Sequence, residues 1–308
     1  MKALQIIAPY QFRIIDMEHP VPAADEVVIK LEYAAICNQN DYKIFYGLYG
    51  DLIKYPCAPG VYGHEGVGII TEIGSQVTDL KAGDRVVLML EGGPMLYREY
   101  VCRQAWSVVP VRTAAPEAAA VLEIFGCTHH CLEIAGDLSD KKVGIAGLGP
   151  AGLALLQLIS LNPPRELLGI EISEERAAAA RRLGLKRVVN PAVALDSLIE
   201  EGVDLVIDAT GVPRSILNSF EITRHEVIIF GFTNEPFQVD QSRWFQKELV
   251  IKNSKVQTID NLRAVVRLLE EGRIDPGSFV GGIMSFEEYD KAVERVYKKE
   301  AVKILLKW

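Results

Sequence analysis

Gly147, Gly149 and Gly152 follow the apolar run at residues 143–146 and open a leucine- and alanine-rich helical pattern. This is G-x-G-x-x-G between a strand and a helix, a spacing that commits the surrounding chain to a βαβ unit. Gly147 permits the tight turn, and Gly149 lets backbone approach a pyrophosphate. Gly152 lets the helix sit close to the strand, with Pro150 and Ala151 at the helix start, so that the helical N–H groups and dipole face the phosphates. A second strand pattern at residues 167–172 holds Glu171, about 20 residues past the last glycine, where a carboxylate accepts hydrogen bonds from the adenosine ribose. That acid repels a 2′-phosphate and predicts NAD over NADP. Arg176, close by, is the cation that would accommodate such a phosphate. The competing reading is a generic βα turn with a solvated Glu at a strand end.

The flanking pattern agrees with a nucleotide-binding unit. Residues 142–146, 167–172, 204–209, 226–230 and 248–252 read as buried strands, and residues 151–161, 174–183 and 215–222 as helices. Strands alternating with helices predict a doubly wound parallel sheet of Rossmann type. Ahead of it, residues 1–7, 12–18, 26–35, 67–73, 85–90 and 97–103 are short Val-, Ile-, Leu- and Tyr-rich runs punctuated by Pro and Gly. They predict a folded-over antiparallel sheet or partial barrel. An alanine-rich, helix-favouring stretch at 116–135 joins the two regions. The expected organisation is a β-rich domain over 1–118, a dinucleotide-binding domain over 119–258, and a segment 259–308 with two helical patterns and an apolar end that returns to the first domain.

Bulk properties remove several function classes. A formal charge of −8 gives no reason to expect nucleic acid or an anionic membrane as partner. No apolar stretch approaches the roughly 20 residues that span a bilayer. Five cysteines at irregular spacing do not form a disulfide framework, and a reducing cytoplasm is the expected compartment.

Cys37, His64, Glu65 and Glu123 are soft and hard metal ligands lying ahead of the glycine loop. Spacing alone does not separate them from core packing and solvated acid, and His64-Glu65 is not the start of H-E-x-x-H, because Gly68 stands at the second histidine position. The surrounding residues are more specific. Pro59, Gly60, Gly63-His64-Glu65-Gly66, Gly68 and Gly74, then Gly83-Asp84-Arg85-Val86, resemble the G-H-E signature of zinc-containing medium-chain dehydrogenases. Cys37 after Ala-Ile, the glycine loop and the 286–292 helix pattern follow in family order, so the resemblance covers essentially the whole chain.

That resemblance implies a GroES-like catalytic domain beside the Rossmann domain, one catalytic zinc, NAD, and reversible oxidation of an alcohol or polyol hydroxyl. It implies Cys37 and His64 as zinc ligands, Glu65 as a ligand or as a carboxylate behind the metal, and Asp41 among the catalytic residues. For the remaining ligand, Glu123 matches the sorbitol-dehydrogenase branch and Cys127 is the competing candidate. Family habit also implies a homodimer or homotetramer. Cys127 and Cys131, one helical turn apart, and His129 and His130 beside them, are read as packing or surface residues. Phe45, Tyr46 and Tyr49 either line a substrate pocket or pack the sheet edge.

Two departures matter. Zinc members often carry a four-cysteine lobe after the Gly-Asp-Arg-Val strand; residues 91–96 contain no cysteine, so no structural zinc is expected. Where the family usually has Ser or Thr two residues after the ligand cysteine, this chain has Gln39, and Asn40 intervenes before Asp41. Gln cannot pass a proton as a hydroxyl does, so the relay is altered, with Glu65, Asp41 and water as candidates. The rival readings are a zinc-free reductase of quinones or enones and a non-catalytic NAD(H)-binding protein.

Overall fold

The computed structural model describes residues 1–308, which form two compact units: Met1–Ile124 with Ile259–Trp308, and Phe125–Thr258. In the second unit six parallel strands lie in the spatial order Val188–Val189, Glu166–Ile170, Lys142–Ala146, Val203–Asp208, Thr223–Ile229, Val250–Asn253. The chain starts at the centre of this sheet, steps outward twice, then returns to the other side of its first strand. That reversal is the doubly wound topology of a Rossmann sheet, and the glycine loop leaves the first strand beside the switch point. Strand Val203–Asp208 is almost wholly buried, as expected where helices cover both faces of a parallel sheet.

One helix here escaped the sequence patterns. Pro191–Glu201 begins with Pro at its first position, and the Asn190 side chain accepts from the Ala192 N–H at 2.9 Å. Both are helix-start signals. The helix-favouring stretch 116–135 forms two helices, Pro116–Ala119 and Leu122–Ala135. No Gly or Pro marks the break, so propensity alone does not reveal it.

The first unit contains a seven-stranded sheet. Its main path runs Val280–Ser285, Lys303–Lys307, Glu26–Ala35, Glu65–Ile73, Arg85–Leu88, Val108–Pro110, with Tyr100–Gln104 also paired to Glu26–Ala35. The strand pair Lys2–Ala8 and Gln11–Asp16 stands apart from it. The C-terminal strand Lys303–Lys307 is antiparallel to Glu26–Ala35, with Leu305 opposite Ala35. Helix Tyr289–Tyr297 buries Tyr289, Ala292, Val293 and Val296, the i, i+3, i+4, i+7 stripe of an amphipathic helix. These side chains share a core with Leu4, Ile36, Phe45 and Tyr97.

Between strands Arg85–Leu88 and Tyr100–Gln104 the chain makes irregular turns organised by Arg103, which is 1% exposed. Its guanidinium donates to the carbonyls of Gly93 at 3.2 Å and Pro94 at 2.7 Å, and also to those of Met89 and Glu91. Desolvation pulls its pKa down to about 10. No helix is long and apolar enough to cross a membrane.

Candidate functional site

Sheet register assembles the site. Strand Glu26–Ala35 lies between Glu65–Ile73 and Lys303–Lys307, with Ala35 opposite both Glu65 and Leu305. Cys37 follows the end of the middle strand, where Ile36 still donates its N–H to the Ile304 carbonyl at 2.9 Å. Cys37, Glu65 and Lys303 therefore meet at one edge of three neighbouring strands, although 238 residues separate the last two. Asn38 adds a tie, donating from Nδ2 to the Val302 carbonyl at 2.9 Å.

The ligand atoms of Cys37, His64 and Glu65 all lie within 4.8 Å of one another. Glu123 is buried and close enough for its charge to act on both His64 and Glu65, but it is not one of the three residues whose ligand atoms share that 4.8 Å group. Burial lowers the His64 pKa, but the charge and hydrogen bond of Cys37, with Glu123 and Glu65, outweigh it and raise the imidazole to about 10. A site that draws a proton onto histidine this strongly is one that stabilises a cation.

Behind the cluster, Lys303 Nζ donates to both Glu65 oxygens at 2.6 Å and to the Ile36 carbonyl at 3.3 Å. The Lys303 and Glu65 side chains are each 2% exposed. Burial pushes the Glu65 carboxyl up against the pull of Lys303. For Lys303, burial lowers the pKa, yet the carboxylate and thiolate charges leave it raised. Asp41 supports the cysteine from another side. Its Oδ2 accepts the Cys37 N–H at 2.6 Å and the Tyr97 hydroxyl at 2.6 Å. Burial and the Asp41 charge hold the Tyr97 phenol well above its ordinary pKa, so it remains a donor.

In the second unit the glycine loop has the expected close approaches. Gly147 sits at φ +86°, and a Cβ at Gly152 would lie 1.9 Å from the Gly147 carbonyl oxygen. Gly152 is thus demanded by the loop backbone itself. Glu171 stands one residue past strand Glu166–Ile170 and points inward: Oε2 accepts the Leu148 N–H at 2.8 Å, and Oε1 accepts those of Ile172 and Ser173, each at 2.9 Å. Arg176 lies over the loop, its Nη1 3.8 Å from where a Gly149 Cβ would stand.

Two family models match this chain, the alcohol dehydrogenase GroES-like domain over residues 23–113 and the zinc-binding dehydrogenase over residues 150–271. The chain belongs to the zinc-containing medium-chain dehydrogenase family. This dehydrogenase is 28% identical to D-arabinitol dehydrogenase 1 of Uromyces fabae, across 100% of its own length and 97% of the relative's. It shares the fold of 2R,3R-butanediol dehydrogenase from Bacillus subtilis (TM-score 0.87, 23% identity, 100% and 99% of the two chains). It likewise matches the RspB protein of Escherichia coli CFT073 in complex with NADH (TM-score 0.90, 23% identity, 100% and 99% covered).

A thiolate, an imidazole and carboxylates are donors that suit zinc, so the cluster fits the metal of the dehydrogenase family. The structure brings together Cys37, His64 and Glu65, with Asp41 behind the cysteine. It places Cys127 and Cys131 in the second unit, where burial pushes the Cys131 thiol up to about 12. His129 and His130 sit beside Glu133 at 3.8 and 3.4 Å on their own helix. Sequence reasoning missed Lys303 and Tyr97. The only local trace of Lys303 is a cation just ahead of the apolar run Ile304–Leu306, which any strand end could show.

Proposed function

We propose that this dehydrogenase oxidises a hydroxyl-bearing carbon of an alcohol or polyol, delivering a hydride to NAD and a proton to solvent, and reduces the carbonyl in reverse. The observation that carries this reading is the convergence of the Cys37, His64 and Glu65 ligand atoms within 4.8 Å beside Glu123. The names of the relatives support the substrate class: arabinitol, xylulose and butanediol are polyols or their ketoses.

Cys37 and His64 would hold one zinc, with Glu65 and Glu123 as the candidate carboxylate ligands and Cys127 as the weaker alternative. The metal supplies Lewis acidity to the substrate hydroxyl, and the nicotinamide accepts the hydride. The chain's own residues do the positioning. Asp41, which Cys37 and Tyr97 hold by hydrogen bonds, fixes the cysteine backbone, so its contribution is to place the ligand. Lys303 balances the charge of Glu65, keeping two carboxylates tolerable in one buried cluster. The glycine loop with Pro150 and Ala151 would present helix N–H groups to a pyrophosphate, and Arg176, close to Gly149, would supply a cation for a coenzyme anion. Glu171 braces that loop through Leu148 and keeps lone-pair capacity on Oε2 for the ribose.

The free edge strand Val250–Asn253, with Val250 49% and Ile251 38% exposed, supports a homodimer or homotetramer built by edge pairing. Five free cysteines fit a reducing cytoplasm.

The test is a metal assay coupled to an NAD-reduction screen over sugar alcohols, cyclitols and simple alcohols, with Cys37→Ala and His64→Ala alongside. Stoichiometric zinc, turnover in the wild type, and loss of both metal and turnover with NADH binding retained are the expected results. Near-normal rates in either variant, or NADH binding with no turnover of any alcohol, would overturn the proposal.

A further inference from the structure

Three of the aromatic residues that follow Cys37, namely Phe45, Tyr46 and Tyr49, are not equivalent. Phe45 is 3% exposed and meets Tyr289, Phe12 and Tyr10 edge-on. Tyr46 stacks on Tyr10 at 4.9 Å and meets Tyr297 at 5.1 Å. Both are packing residues. Tyr49 packs one side against the same core, but its hydroxyl donates to Asn40 Oδ1 at 2.7 Å.

Asn40 occupies the N-cap position of helix Asp41–Phe45, yet its side chain makes no capping hydrogen bond. An Asn at that position ordinarily accepts from the first turn of its helix; here the acceptor is given to Tyr49 instead. With Oδ1 so engaged, Nδ2 keeps its two N–H donors for another partner, and the phenol oxygen keeps its own lone pairs. The dyad lies one turn from the metal cluster: the Asp41 N–H donates to the Cys37 carbonyl at 3.3 Å. Tyr49 also feels that cluster, because the charges of Cys37 and Asp41 add to burial in raising its pKa.

We propose that Asn40 and Tyr49 recognise a second substrate hydroxyl, next to the one being oxidised, and so select vicinal diols and polyols over monohydric alcohols. One hydroxyl can accept from Asn40 Nδ2 while donating to the Tyr49 oxygen, satisfying both partners at once. A monohydric alcohol presents a methylene group to the dyad and forgoes both hydrogen bonds. The same two positions follow Gln39, so the segment that lacks the usual hydroxyl after Cys37 carries polar recognition of its own. This assignment rests on the oxidation chemistry proposed above.

The experiment compares 2,3-butanediol with 2-butanol as substrates of the zinc-loaded full chain and its Tyr49→Phe, Asn40→Ala and double variants. The ratio of the diol KM to the monohydric KM should rise about tenfold in Tyr49→Phe, the loss of one neutral hydrogen bond. Asn40→Ala should act in the same direction. The double variant should be little worse than the stronger single, because the two side chains act as a unit. A ratio unchanged within about twofold, or an equal rise for both alcohols, overturns the assignment and leaves the oxidoreductase reading standing. If the wild type turns over neither alcohol, the oxidoreductase reading is decided by the wider alcohol screen above. The dyad is then judged by calorimetric Kd values of the two alcohols on the zinc–NADH complex, with the same ratio as criterion.

Discussion

Replacing Lys303 by Met removes the only cation bonded to the Glu65 carboxylate and keeps most of the side-chain volume. Wild-type Lys303 gives two contacts of 2.6 Å to a partner that, like itself, is 2% exposed. Deleting one member of such a pair costs about 3–5 kcal/mol, because the other charge is left buried without compensation. The carboxyl escapes part of that cost by taking up a proton, since burial already pushes its pKa above the ordinary 4.5. In the variant Glu65 is then protonated when folded and ionised when unfolded above that value. The folded state binds the extra proton, so stability falls as pH rises, and the deficit against wild type should grow from about pH 5 to pH 8. Urea unfolding of the metal-free chain, followed by circular dichroism at both pH values, reads the difference. A Lys303→Met, Glu65→Leu double variant should recover most of the loss, because an apolar pair replaces an ionic one at little cost. A single-variant deficit under about 1 kcal/mol at pH 8, or a double variant as unstable as the single, would refute the buried-pair reasoning.

Three further outcomes follow from the geometry. Gly149→Ala has open space for its methyl group, with no atom nearer than 3.8 Å, whereas Gly152→Ala would meet the Gly147 oxygen at 1.9 Å; the first should weaken NADH binding with Tm unchanged, the second should lower both, and calorimetry with thermal melts separates them. In the metal-free chain His64, raised from 6.5 to about 10, contributes stability that is complete below pH 6.5 and lost as pH climbs to about 10. Zinc needs the neutral imidazole, so apparent zinc affinity should rise across that same window with proton release on binding, measurable by titration in buffers of different ionisation enthalpy. Arg103→Met should cost at least about 2 kcal/mol, because several backbone carbonyls lose a charged donor, and amide exchange in residues 89–94 should accelerate while that of the parallel sheet does not.

The dinucleotide unit was legible because its signals are local. Gly147, Gly149 and Gly152 sit within six residues, and the strand and helix patterns on either side follow from periodicity over short windows. The proposed metal site was suggested only by resemblance to a family. Cys37, His64 and Glu65 carry no spacing rule of their own, since sheet register brings together segments far apart in the chain, and Glu123 comes from helix Leu122–Ala135.

Local chemistry along the chain was enough to establish a doubly wound parallel sheet, an antiparallel region before it, and the residue types available to hold a metal. Tertiary structure alone decided how those residues are held. It put the Lys303 ammonium against Glu65, turned Asp41 toward the Cys37 N–H and the Tyr97 hydroxyl, and drove the Glu171 carboxylate into the backbone of its own loop. Each of those bonds joins a charged or polar group to a partner that becomes available only when water is excluded. Burial makes an unpaired group too costly to keep, and which partner relieves that cost depends on strand order and register that no short window of sequence records.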